Sequence, residues 1–221
     1  MKDYGYLSVF VERSQDLIVS LGEHILITLV AVFLGCLVSI PLGMYLTRTK
    51  VKWIHSTTFM ITNVFQTIPS LALLAMLLPL LGVGMLPAIV ALFLYSLLPI
   101  LRNTYAGFKS INEGIIQSAI GMGYSPMQRL FQIEFPLAFP YIMSGIRLTT
   151  VYIINWATLA TLIGAGGLGE LIVSGLGVYD KPLILAAAVL SMALALIADF
   201  LLSLLEKSLI KKSHSEQQQI I

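Results

Sequence analysis

Apolar residues run along this chain in long blocks separated by short polar links, and the blocks are of membrane-crossing length. A spanning helix needs about 20 mostly apolar residues to traverse a hydrocarbon core of about 30 Å. The stretches 22–46, 53–81, 86–105, 140–163 and 182–205 meet that requirement, and 25–46 holds no ionised side chain. Pro69 and Pro79 interrupt the second stretch and Pro99 the third. Bundled transmembrane helices tolerate proline where neighbours satisfy the freed carbonyls, so kinks are expected in helices two and three. The pattern predicts an all-α membrane protein of five transmembrane helices, flanked by an N-terminal segment, 1–20, and a polar tail, 207–221.

Composition narrows the class. Of 221 residues, 57% are hydrophobic and 11% charged, against roughly 25% charged in soluble domains. That excludes an ordinary cytosolic enzyme, a nucleic-acid binder and a disordered chain. The lone Cys36 excludes a disulfide framework, and its apolar run marks it as a small buried hydrophobe. Residues 1–20 are no secretory signal, because Lys2, Asp3, Glu12, Arg13 and Asp16 stand where a basic start and an apolar stretch belong. Val9, Phe10, Val11, Leu17 and Ile18 there predict a short interfacial helix.

The net charge of +2 says little as a total, but its distribution orients the chain. Arg48, Lys50 and Lys52 fill the first link, Lys109 and Arg129 the third, and Lys207, Lys211 and Lys212 follow the last span. The opposite side has only Lys2, Arg13 and Lys181. Cytoplasmic loops carry the excess of Lys and Arg, which predicts an external N-terminus and a cytoplasmic C-terminus. The final SHSEQQQII is polar enough to predict disorder.

One link is of a different kind. Residues 106–139 are predicted to lie on the cytoplasmic side, and loops of that length are functional or structured. Ile111, Ile115, Ile116, Ala119 and Ile120 fall at helical spacing. Gly121 and Gly123 stop that helix, and Ser125-Pro126 starts a second short one. Pro136 and Pro140 bracket the start of the fourth span. The apolar face of the first helix either folds back onto the bundle or meets a protein partner.

These residues carry a resemblance. Permease subunits of ATP-binding-cassette importers share a cytoplasmic signature: Glu-Ala-Ala, three residues, Gly, nine residues, Ile, one residue, Leu-Pro. Here Gln117-Ser118-Ala119 is followed at the same spacings by Gly123, Ile133 and Phe135-Pro136, with departures in type at Gln117, Ser118 and Phe135. The surrounding stretches, among them FQTIPSLALLAMLLPLLGVG and GIRLTTVYIINWATLATLIGAGGLG, resemble the osmoprotectant permeases for glycine betaine, carnitine and choline. Methionine-importer permeases are the nearest competitor.

The resemblance implies a type I importer permease domain over 21–206 in a bacterial cell membrane. It implies coupling to the ATPase through Gln117, Ser118, Ala119, Gly121, Gly123, Ile133 and Pro136. Implied partners are ATPase subunits, a second permease and an external substrate-binding protein. The chain has no GxxxxGK[ST] phosphate loop, so ATP with its magnesium is expected on a partner, with no cofactor here. Methionine uptake and bile-salt export are alternative activities. A stand-alone secondary transporter would call for inverted repeats or charges at mid-membrane, and a lipid enzyme for clustered His, Asp or Ser at an interface.

Other signals weigh less. Gly164, Gly166 and Gly169 satisfy GxGxxG, but the pattern has meaning only between a strand and a helix. Arg147 and Asp199 lie at similar depths in the last two spans, which predicts a structural ion pair between them. Arg102 is placed to snorkel. Tyr95, Tyr152 and Trp156 are spaced to line a path or, the reading favoured, to pack helix on helix. His24 and His55 lie near opposite faces, with no second ligand pair at metal spacing.

Overall fold

The structure, a computed structural model, describes residues 8–218, with side chains described through 208. All regular structure among the described residues is helical. After the short α1 (Val9–Glu12), α2 (Ser14–Arg48) runs for 35 residues, about 52 Å at 1.5 Å per residue. It begins well before residue 22, so much of the segment expected to lie at the interface belongs to the first helix. Val9 and Leu17 are buried among Leu171, Leu183 and Ala187, a protein contact and not a lipid one.

The second helix to cross the bundle in full is α5 (Met85–Lys109), parallel to α2, since Gly35, Ser39 and Gly43 meet Ser96, Leu97 and Thr104 in the same order. Their contact follows from small residues on α2. Ser39 Oγ donates to the Leu97 carbonyl at 3.0 Å. On either side of it a Cβ at Gly35 would run into Ser96, and one at Gly43 would lie 2.8 Å from the Thr104 methyl. Small residues at four-residue intervals let membrane helices approach closely where hydrophobicity gives no drive.

The stretch 53–81 is not one kinked helix. It divides into α3 (Lys52–Thr67) and α4 (Ser70–Leu81), bent by 99° at Ile68-Pro69. The residue before proline is pushed out of the helical region, and Ile68 accordingly takes φ −69°, ψ 128°. Pro79 and Pro99, by contrast, lie inside α4 and α5 without ending them. Pro99 has no N–H for the Tyr95 carbonyl, and the Gln66 amide of α3 donates to that carbonyl instead. The Tyr95 hydroxyl in turn donates to the Ile68 carbonyl at 2.6 Å, pinning the break.

The chain then passes through α6 (Glu113–Gly121) and α7 (Pro126–Arg129) into α8 (Phe135–Ala160). A π turn, Leu130–Glu134, joins α7 to α8 without a gap, so α7 is the first turn of the fourth spanning helix. A 3₁₀ turn, Thr161–Ile163, ends that helix. The apolar α9 (Leu168–Val178) and the long α10 (Lys181–Gln218) complete the order. The backbone is helical through Gln218, where the sequence predicts disorder; residues 219–221 lie outside the described part. Helices α2, α5 and α10, with the run Pro126–Ile163, can each cross a membrane, and the bent pair makes a fifth crossing if counted as one.

The core sits where α2, α4, α5 and α8 meet, around Ile27, Leu73, Leu92 and Ile153. Cys36 is half-buried against it, not enclosed. The bundle has two distinct ends. The hairpin of α6 and α7 marks one, hereafter the hairpin end; the glycine-rich segment 164–169 marks the other, the glycine end.

Candidate functional site

The hairpin is shaped by local rules at each turn. Asn112 caps α6, its Oδ1 accepting from Gly114 N at 2.7 Å. Gly123 closes the helix with φ +82°. Its N–H donates to the Ile120 carbonyl and that of Tyr124 to the Ala119 carbonyl, the paired bonds of a Schellman stop. Ser125 and Gln128 then exchange backbone-to-side-chain hydrogen bonds of 2.9 and 3.3 Å, a capping box with Pro126 in the first turn.

The apolar face read from the sequence divides in two. Ala119 is fully buried, and Ile111 packs against the cluster of Phe108, Ala138 and Ile142. Ile115, Ile120, Met122, Met127 and Phe131 are exposed, Met122 by 68%. Gln117, Ser118, Gly121 and Gly123 are also on the surface, while Ile133 and Pro136 are half-buried at the base. The hairpin thus grips the bundle with one side and offers the other, apolar side to its surroundings.

A buried carboxylate fixes the base. Glu134, 6% exposed, accepts from Arg129 Nε at 2.7 Å and from Arg48 Nη2 at 2.9 Å. It joins the end of α2 to α7 across the π turn, and neither its burial nor its partners are legible from the sequence, where it is one spacer residue. Nearby, Lys50, Lys52, Lys109, His55 and Tyr105 line an open cleft of about 400 Å³.

Farther along α8, Arg147 Nη2 donates to Asp199 Oδ1 at 2.9 Å, and Arg147 Nη1 donates to Glu206 Oε2 at 2.9 Å. The sequence reading pairs Arg147 with Asp199 alone; Glu206, two turns further along α10, is the partner it misses.

The exposed faces of the spanning helices differ in kind. On α10 they show Leu185, Val189, Met192, Leu196 and Phe200, and on α2 Leu26, Leu29, Phe33 and Leu37. Those suit lipid tails. On α8 the exposed stripe is Tyr141, Ser144, Leu148, Tyr152 and Asn155, within one narrow arc at 100° per residue. The Ser144 hydroxyl and the Asn155 amide have no hydrogen-bond partner among the described residues. Unpaired polar groups cost several kcal/mol each against hydrocarbon, so this face suits water, a solute or a second protein.

Tyr95, Tyr152 and Trp156 come together on this side. The Tyr95 and Trp156 ring centroids are 4.4 Å apart, and those of Tyr152 and Trp156 are 6.2 Å apart at an interplanar angle of 24°. Tyr95 is buried, Trp156 half-buried and Tyr152 exposed by 46%. Helix packing therefore accounts for the first ring and only part of the others.

At the glycine end, Gly164, Gly166 and Gly167 all have φ between 75° and 81°, a left-handed run that side chains resist. Gly167 N donates to Glu23 Oε2 at 2.8 Å, tying the segment to α2. The segment follows a 3₁₀ turn and precedes a helix, which is not a dinucleotide-binding context. His24, next to Glu23, is buried with Nε2 3.0 Å from the Ile154 carbonyl, whereas His55 at the hairpin end packs tilted against Phe59 and edge-on to Tyr105.

Comparison with known proteins places these features. Residues 39–211 match the model of the binding-protein-dependent transport system inner membrane component family. The choline transport system permease protein OpuBB of Bacillus subtilis (strain 168) is 50% identical over 194 residues, 88% of each chain. The glycine betaine/carnitine/choline transport system permease protein OpuCB of the same organism is 48% identical, covering 89% of this chain and 90% of its own. The carnitine transport permease protein OpuCB of Listeria monocytogenes is 45% identical over 96% of this chain and 97% of its own. An inward-facing structure of the MetNI methionine ABC transporter superposes with a TM-score of 0.79 at 24% identity, over 87% of this chain and 95% of that one. The fold is thus that of a type I ABC importer permease, and the chain belongs to the family of binding-protein-dependent transport system inner membrane components, a permease subunit of an ABC importer.

Proposed function

We propose that this permease imports osmoprotectants bearing a quaternary ammonium group — choline, carnitine or glycine betaine — and is driven by ATP hydrolysed on separate ATPase subunits. The observation that carries the coupling is the hairpin: a capped, glycine-stopped helix held at its base by Glu134 and exposing Ile115, Ile120 and Met122 beyond the bundle. A rigid element of that kind transmits motion between two-state bodies. Gln117, Ser118 and Ala119 form the last turns of the connector, Gly121 and Gly123 its stop, and Ile133 and Pro136 its root. Support for the substrate class comes from the relatives, whose names specify choline, carnitine and glycine betaine transport.

In this reading the hairpin end is cytoplasmic, because Arg48, Lys50, Lys52, Lys109 and Arg129 lie at that end. The glycine end then faces an external binding protein. The polar stripe on α8 faces the same stripe of a second permease across the solute path, since one bundle of this size does not enclose a path alone. Magnesium-bound ATP belongs to the ATPase partner. Two measurements test the proposal. The permease co-purifies with its ATPase, and a deletion strain under salt stress fails to accumulate at least one of the three solutes. Normal accumulation of all three, or methionine uptake in their place, overturns the substrate class.

A further inference from the structure

We infer that Tyr152 and Trp156, with Asn155 beside them and Tyr95 behind, form a transfer station for the quaternary ammonium solute inside the membrane. The inference rests on the substrate class just proposed and adds a site within the permease itself.

Depth is the first observation. Asn155 precedes Ile163, the end of the helical run, by eight residues, about 12 Å at 1.5 Å per residue. That is close to the middle of a core about 30 Å thick. Exposure is the second. Tyr152 and Asn155 lie on the polar stripe of α8, and Trp156 follows Tyr152 by one turn. Cation–π attraction needs a cation over a ring face within about 6 Å of the centroid, and Tyr152, 46% exposed, leaves room for one there. Rigidity is the third. Trp156 rests on Tyr95, whose hydroxyl is bonded to Ile68 and whose carbonyl is bonded by Gln66. The rings are therefore held in place before any solute arrives.

The surroundings match both ends of such a solute. The carboxyl end of α3, at Thr67, is tied to this level through the Tyr95–Ile68 bond, and helix C-termini favour positive charge. The free Asn155 amide offers N–H groups to the carboxylate of carnitine or glycine betaine and an oxygen to the hydroxyl of choline. Tyr152, Asn155 and Trp156 carry no formal charge to trap the cation, so the station holds the solute weakly and releases it.

Fluorinated tryptophan at position 156 tests this, because fluorine withdraws the ring's negative face while nearly preserving its shape. Trp53→Phe removes the other tryptophan. The full transporter, with ATPase and binding protein, is reconstituted in liposomes, and solute moved per ATP hydrolysed is measured. The expected result is a stepwise fall with successive fluorines, about tenfold in all, while hydrolysis stimulated by the loaded binding protein stays within twofold. Tyr152→Phe retains transport and Tyr152→Leu loses about tenfold. A ratio unchanged by fluorination, or equal losses in Tyr152→Phe and Tyr152→Leu, overturns the station. If the unsubstituted transporter moves none of the three solutes, the substrate class fails and the station with it. If it moves one of them and fluorination has no effect, only the station falls.

Discussion

Two residues of the hairpin carry predictions of opposite kind. Gly123 is exposed, with open space where a Cβ would stand, and its φ is +82°. Gly123→Asp therefore meets no clash but bears a left-handed cost of about 1–2 kcal/mol and puts a charge on the exposed hairpin. Insertion and membrane abundance should be normal while solute uptake falls at least tenfold; immunoblotting alongside an uptake assay separates the two. Glu134 is the reverse, a buried carboxylate between two guanidinium groups. Glu134→Ala leaves both arginines unpaired and should cost about 2–3 kcal/mol, discounted because Arg48 is partly solvated. Arg48→Ala should cost less than half of that in the same detergent melt. Gly123 is legible in the sequence because a stop needs a glycine. Glu134 is not, because its importance lies in what α2 brings to it.

At the scale of elements, the α2–α5 contact tests how closeness is achieved. Gly35→Ala forces a methyl into Ser96 and should destabilise by about 1–3 kcal/mol through overpacking. Gly22→Ala on the same helix has nothing within 4 Å and should stabilise by up to about 1 kcal/mol through helix propensity. Melting temperatures moving in opposite directions are the expected outcome, and a fall in both would count against the packing argument. The second crossing shows where pattern reading stops. Hydropathy measures the length of an apolar run, and 53–81 reads as one span. The 99° bend arises because Ile68-Pro69 permits a break and because the Tyr95 hydroxyl, on α5, satisfies the Ile68 carbonyl at the break, while Gln66 of α3 donates to the Tyr95 carbonyl. The π turn before Pro136 is a similar case, in which the second short helix read from the sequence and the fourth span become one continuous helix.

For the whole molecule, the contrast between helix faces predicts where water reaches. In a Cys36→Ala background no native thiol remains. Ser144→Cys on α8 should then react with a water-soluble thiol reagent, and the reaction should slow when the transporter is trapped in one state. Leu196→Cys on the apolar face of α10 should remain unreactive in intact membranes. Equal labelling at both positions would remove the assignment of α8 to the solute path.

The order of residues alone determined the membrane class, the apolar runs from which the spans are built, the glycine stop and the spacing of the hairpin signature. Each depends on short-range properties: apolar length against bilayer thickness, backbone freedom at one residue, and periodicity along one helix. Tertiary structure alone decided which face of each helix meets lipid, that Arg48 and Arg129 converge on Glu134, that Arg147 adds Glu206 to the Asp199 read from the sequence, and that Tyr95, Tyr152 and Trp156 share one place. Those outcomes depend on side chains far apart in the chain, and a one-dimensional pattern holds no distance between them until the helices have packed.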